Sequence, residues 1–328
     1  METIFFVHIL TLATKGDKKR LRLNIHLLVT INFLYCILIV VLHWTYLLII
    51  KTKIKLKIAS LIFNLLKLFI PKLNKNPCLT VNRKGIKWEL ELSEGIDLSI
   101  YVFGCFERET TKALKKNISS DSYILDIGAN IGAHTLPIAS LLGEEGKVLA
   151  IEPTKFAFDK LNANVKLNKN LSHCIDTYQV MLVENDNLNS KKELYSSWPI
   201  VKNQQIDSHI AHGGVLKSLE GCSTETLDGF CERIDLSKLD LIKLDVDGAE
   251  AGVINGGMKT LRRFHPTIIM EFAPYVYENT TTFLSMVRTL KNLNYQFYYL
   301  NGRKIARQST DEIYSLVPKG ASLNIIAM

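Results

Sequence analysis

The run Tyr123-Ile-Leu-Asp-Ile127 passes without a break into Gly128-Ala-Asn-Ile-Gly132 and then into a helical pattern starting at Thr135. This strand, glycine loop and helix constrain the fold more than any other feature, because the backbone there must pass close to a ligand at the carboxyl end of a strand. Beyond it, short apolar runs alternate with helical stretches, the pattern of a parallel sheet covered by helices on both faces. Strands are predicted at residues 123–127, 148–152, 174–180, 239–246, 266–272, 295–300 and 322–327, and helices at 135–142, 155–168, 249–263 and 281–293. The expected fold is α/β, a Rossmann-like, mostly parallel seven-stranded sheet over residues 121–328.

The chemistry of the loop narrows its ligand. It begins with Asp126 and reads DxGxNxG, whereas a dinucleotide pyrophosphate is cradled by GxGxxG. S-adenosylmethionine (SAM) has no phosphate but carries an ammonium and a sulfonium, which a carboxylate and loop carbonyls suit better than a nest of N–H donors. The strand Val148-Leu-Ala-Ile-Glu152 ends in an acid about twenty residues after the glycines, placed to accept both ribose hydroxyls. Asp126, Gly128, Asn130, Gly132 and Glu152 are therefore the expected cofactor-binding residues, with SAM as cofactor.

With these pieces in view, Ile124-Leu-Asp-Ile-Gly-Ala-Asn-Ile-Gly-Ala-His-Thr135, Ala150-Ile-Glu-Pro153, Leu161-Asn-Ala-Asn164, Leu167-Asn168, Thr226-Leu-Asp228 and Asp240-Leu-Ile-Lys-Leu-Asp-Val-Asp-Gly-Ala-Glu250 together resemble the FkbM family of SAM-dependent methyltransferases. The resemblance runs over roughly residues 95–328 and implies a class I methyltransferase sheet and O-methylation of a hydroxyl, commonly on a sugar, glycolipid or polyketide. Family members more usually carry Glu where this chain has Asp247.

Asp245, Asp247 and Glu250 crowd the carboxyl end of the strand before them, and Glu271 ends Thr267-Ile-Ile-Met-Glu271 on the same edge. Methyl transfer is an in-line displacement, so the protein must align the acceptor oxygen and help remove its proton. Asp245, Lys243, Glu250 and Glu271 are the expected catalytic residues. Asp247 reads equally as a helix cap with Glu250 in capping-box position, and Glu271 as half of a buried salt bridge. No residue is assigned to a metal, although these acids could offer oxygens to Mg²⁺ or Ca²⁺. His134, at the start of the loop helix, and His209 and His212, in a polar segment at 184–226, carry no assignment. That segment is long enough to serve as a lid or wall of the substrate site.

The N-terminal region is different in kind. Ile25 to Ile50 holds no Asp, Glu, Lys or Arg, long enough to cross a hydrocarbon core of about 30 Å as a helix. Residues 1–24 form a basic tail before it, and residues 51–70 a basic amphipathic helix that either lies among lipid headgroups or packs on the catalytic domain. Residues 79–120 read as a β-rich lead-in. The expected partners are membrane lipid and a glycan or other hydroxyl-bearing acceptor, with the single-pass enzyme facing the cytoplasm, where SAM is made. Nucleic acid is disfavoured, because the net charge of +8 owes much to this region and no basic aromatic stripe follows. Six scattered cysteines without a CxxC pair support neither a zinc site nor a disulfide framework. Two rivals remain, a silent protein that keeps the fold for assembly and a NAD-linked Rossmann oxidoreductase.

Overall fold

In the computed structural model, residues 52–185, 192–200, 214–277, 279–306 and 309–328 are described. The basic tail, the expected span at 25–50, His209 and His212 lie outside them. No helix among the described residues is long and apolar enough to cross a membrane.

Helix α1 (Thr52–Phe69) carries Lys67 in its last turn, as the helix dipole favours, although no acid complements its first. Strands β1 (Cys78–Arg83) and β2 (Ile86–Glu91) form an antiparallel hairpin. Lys84 and Gly85 both have positive φ at its two-residue turn, the geometry that matches strand twist. Ile86, Trp88 and Leu90 are buried and alternate with more exposed residues, as a strand with one covered face requires.

The β-rich reading of residues 79–120 fails after this hairpin. Helices α2 (Gly95–Phe103) and α3 (Arg108–Asn117) follow instead. The alternating Ile96, Leu98 and Ile100 imitate a strand, but tertiary contacts decide otherwise: buried Asp97 accepts from Glu91 N at 2.7 Å and pairs with Lys160 at 2.8 Å. Gly104, with φ of 71°, closes α2 by donating its N–H to Ile100 O.

The remaining elements are β3 (Tyr123–Ile127), α4 (Thr135–Ala139), β4 (Lys147–Ile151), α5 (Lys155–Leu167), β5 (Ile175–Tyr178), β6 (Val180–Val183), β7 (Glu193–Ser197), β8 (Val215–Ser218), β9 (Ser223–Thr226), α6 (Leu227–Arg233), β10 (Leu241–Leu244), α7 (Glu250–Asn255), α8 (Met258–Phe264), β11 (Thr267–Phe272), α9 (Thr280–Asn292), β12 (Phe297–Tyr299), α10 (Thr310–Leu316) and β13 (Leu323–Ala327). Seven strands form one sheet in the order β12-β13-β11-β10-β3-β4-β5, and only β13 runs against its neighbours. The chain winds outward from β3 to β4 and β5 on one side and from β10 to β11 on the other. The crevice between the carboxyl ends of β3 and β10 is thus the switch point where such sheets place ligands. Every residue of β10, and all but the first of β3 and β4, is buried, as strands covered on both faces require.

Two predicted elements are divided. The strand expected at 174–180 breaks into β5 and β6, and β6 leaves the main sheet to pair with β9. The helix expected at 249–263 breaks into α7 and α8 at Gly256-Gly257, because a Cβ at Gly256 would lie 2.3 Å from Val183 O and one at Gly257 2.5 Å from Leu227 Cδ2. The polar segment supplies an antiparallel hairpin, β7 with β8.

Asn164 and Asn168, one turn apart on α5, fasten β2 to the main sheet. Asn168 accepts from Lys87 N and donates to Lys87 O, while Asn164 accepts from Glu89 N and donates to Ile131 O in the glycine loop. Amide side chains thus replace a neighbouring strand along β2's edge.

Candidate active site

Asp126 sits at the end of β3, fully buried. Its Oδ2 accepts from Thr135 Oγ1 at 2.6 Å, and its Oδ1, without a hydrogen-bond partner, lies 3.6 Å from Lys243 Nζ. Lys243 is the register partner of Asp126 on β10. Its ammonium donates to Gly128 O at 3.0 Å and lies 3.5 Å from Asp245 Oδ2. Burial alone would push this ammonium down, but the carboxylates of Asp245 and Asp126 outweigh it and hold the pKa above the usual lysine range. Lys243, a catalytic candidate from the sequence, is accordingly held as a cation between two acids.

The loop fits a ligand passing close to backbone. Gly128 (φ 78°) and Gly132 (φ 91°) take the left-handed conformation. A Cβ at Gly128 would stand 1.8 Å from Asp245 O, so the glycine loop and the loop after β10 touch main chain to main chain. Asn130, also left-handed at φ 50°, donates its N–H to Glu152 Oε2 at 3.0 Å and its side-chain amide to Ser196 O at 3.3 Å.

Glu152 is where geometry wants the second acid, but it is covered. Its Oε1 accepts from Thr154 N at 2.9 Å and from Thr154 Oγ1 at 2.5 Å, and Ser196 Oγ of β7 lies 3.5 Å away. Burial raises its pKa against these hydrogen bonds. Glu94 holds the covering strand in place by accepting from Ser197 Oγ and Trp198 N, each at 3.0 Å. Sequence reasoning missed Thr154, Ser196 and Glu94, whose partners lie up to about a hundred residues apart.

After β10, Asp247 (φ 50°) and Gly248 (φ 103°) form a left-handed turn. The residue before α7 is Ala249, with no side-chain cap, so Asp247 is not the cap. Glu250 takes the backbone donors instead: its carboxylate accepts from Val246 N, from Gly248 N and, at 2.7 Å, from Tyr277 Oη. Buried and hydrogen-bonded through both oxygens, this catalytic candidate from the sequence shapes the turn.

The turn aims Asp247 at Asp245 and Glu271, whose carboxylate oxygens lie within 4.8 Å of one another. Such a set can accept several hydroxyl protons or hold a hard divalent cation. Burial and the neighbouring carboxylates push Asp247 and Glu271 well above the usual range. No ion pair to Glu271 forms among the described residues. Tyr275 borders the cluster, its hydroxyl pushed up to about 12 by burial and then by Glu271 and Asp247.

A further acid comes from the loop between α2 and α3. Glu107, left-handed at φ 41°, accepts from Thr110 Oγ1 and from Asn324 Nδ2, and Asn324 is the register partner of Glu271. His134 Nε2 lies 3.9 Å from Glu107 Oε2. Burial and then Lys243 push the imidazole down to about 3, so it is neutral.

Three known proteins are similar to this chain. Methyltransferase sdnD of Sordaria araneosa is 29% identical over 161 residues, 43% of this chain and 62% of that protein, so the chain spans less than two thirds of its relative's length. The crystal structure of methyltransferase FkbM from Methylobacillus flagellatus KT is 14% identical, covering 64% of this chain and 44% of that one, with a TM-score of 0.39. Aeropyrum pernix fibrillarin, solved with natively bound SAM, is 12% identical over 65% of this chain and 68% of its own, with a TM-score of 0.35. These structural scores are low, and the fold rests on the strand order itself. The methyltransferase FkbM domain profile matches residues 126–297, just over half of the chain and the whole span from Asp126 through Glu271, and the chain belongs to that family.

Proposed function

We propose that this protein is a SAM-dependent O-methyltransferase acting on a hydroxyl of a glycan, glycolipid or similar acceptor at a membrane. The observation that carries the reading is the pairing across β3 and β10: Asp126 and the glycine loop on one strand, the Asp245, Asp247 and Glu271 cluster beyond the other, with Lys243 between. SAM supplies, when bound, a methyl group on a positively charged sulfur. Asp126, with an unpartnered buried oxygen, suits the cofactor's ammonium, and Glu152 suits the ribose through Oε2, since Thr154 takes its Oε1. Lys243 fixes Asp245 and the Gly128 carbonyl in place. Asp245 accepts a hydrogen bond from the acceptor hydroxyl. Glu271, whose carboxylate is made more basic by burial and by the neighbouring Asp245 and Asp247, takes the proton as the methyl–oxygen bond forms.

The membrane placement rests on the uncharged run at 25–50 and the basic residues on both sides of it. Calorimetry of the full chain with SAM tests the cofactor, and no heat with SAM alongside heat with NADH would favour the oxidoreductase rival. Mass spectrometry of membrane glycans from cells with and without the enzyme tests the acceptor. The reading expects glycans lighter by one methyl group when the enzyme is absent.

A further inference from the structure

The outward face of α1 is unlike the surface around it. Ala59, Ile62, Phe63 and Leu66 turn inward and are buried. This face packs on α2 and the turn at Pro71–Asn74. Lys57, Leu61, Asn64 and Leu68 recur at the same helical spacing on the opposite side and are exposed, Leu61 by 61% and Leu68 by 73%. A helix already packed through one face gains nothing within its own domain from leucines on the other.

Charge says what the face meets. From residue 51 to residue 88 the chain holds ten Lys or Arg and no Asp or Glu, whereas residues 89–328 carry a net charge of −5. An anionic surface therefore attracts the α1 side and repels the remainder, which fixes an orientation as well as an affinity. A nucleic acid would satisfy the charge but has no use for Leu61 and Leu68. The headgroup and acyl boundary of a bilayer uses both. Lys51, Lys53, Lys55 and Lys57 also follow directly on the uncharged run that ends at Ile50.

We propose that the outer stripe of α1 docks on an anionic lipid surface, with Leu61 and Leu68 at the acyl boundary and Lys57, Lys72 and Lys75 on the lipid headgroups. The inference deepens the membrane-proximal reading above and rests on it. It also bears on the acceptor, because α2, on which α1 packs, ends at Phe103, four residues before Glu107 beside the acid cluster.

The test uses the full chain with Leu68→Cys, and with Glu145→Cys as an exposed control, in vesicles of phosphatidylcholine alone or mixed with phosphatidylserine. Reaction with a membrane-impermeant maleimide is read at each cysteine by mass spectrometry. The cysteine at 68 should react about tenfold more slowly in the phosphatidylserine vesicles, and the control equally in both. Lys57→Gln, Lys72→Gln and Lys75→Gln should each raise the phosphatidylserine needed for half protection about fivefold. Equal reactivity at 68 in the two vesicles overturns the proposal. Protection in both that grows with protein concentration also overturns it, and assigns the stripe to a second copy of the chain. Calorimetry with SAM on the same samples separates the two readings: SAM binding without protection sinks the docking alone, and protection without SAM binding sinks the cofactor assignment alone.

Discussion

Replacing Lys243 by Met removes one charge and leaves the side-chain volume nearly unchanged. The ammonium is 4% exposed as part of its residue and serves three partners: Asp126, Asp245 and the Gly128 carbonyl. Asp245 can recover water, since its side chain is 28% exposed, but Asp126 is fully buried and keeps only the Thr135 hydroxyl. Removing one member of a buried pair costs about 3–5 kcal/mol, and the solvation open to Asp245 places this case near the lower end, about 3 kcal/mol. For a domain of this size that is a fall in Tm of about 5 °C. Thermal unfolding followed by circular dichroism measures it. The cause is isolated by a cycle with Asp126→Asn, which removes the stranded charge: the double variant should recover about 1–3 kcal/mol over the sum of the two single losses. A loss under about 1 kcal/mol, or losses that simply add, would refute the view that Lys243 is there to neutralise Asp126.

The remaining predictions divide the site by function. Asp126→Ala and Glu152→Ala each weaken SAM binding about 10- to 100-fold by calorimetry, since each removes charge-assisted hydrogen bonds. Asp245→Ala leaves SAM affinity unchanged and lowers kcat about 100-fold or more, and equal loss of affinity in all three variants would undo that division. Because the folded-state pKa values of Asp247 and Glu271 are raised, the favourable contribution of these carboxyls is complete below the ordinary carboxylate range and is lost as pH rises through the raised values. Glu271→Gln and Asp247→Asn should therefore raise Tm at neutral pH while slowing turnover, with the Tm gain vanishing near pH 4 in a pH series. Treatment with EDTA leaves methyl transfer intact if the acid cluster serves the acceptor; loss of activity restored by Mg²⁺ or Ca²⁺ would give those oxygens to an ion.

The central sheet was legible because its strands are apolar runs with a periodicity of their own, and because Asp126 and Glu152 end two of them. What escaped had no local signature. Ile96, Leu98 and Ile100 alternate as a strand does, yet they form a helix whose Asp97 meets Glu91 N and the distant Lys160. Gly256-Gly257 looked like an ordinary helix interior until the main chain of β6 was seen to pass within reach of it. Around the site, Asp247 and Glu250 carry the spacing of a capping box, yet the left-handed turn at Asp247 exchanges their roles. Glu94, Glu107 and Ser196 act through partners that chain order keeps far apart, so no window of sequence could join them.

The contact between Gly128 and the Asp245 carbonyl, too close for even one methyl group, limits how this enzyme can be altered. The two halves of the reaction centre share a joint with no slack, so neither can be retuned through its own backbone without disturbing the other. New acceptors must be won at the periphery, where Tyr275 and the β7–β8 hairpin can change side chains while the joint stays as it is. The fold thus separates a centre closed to variation from a rim that is open to it.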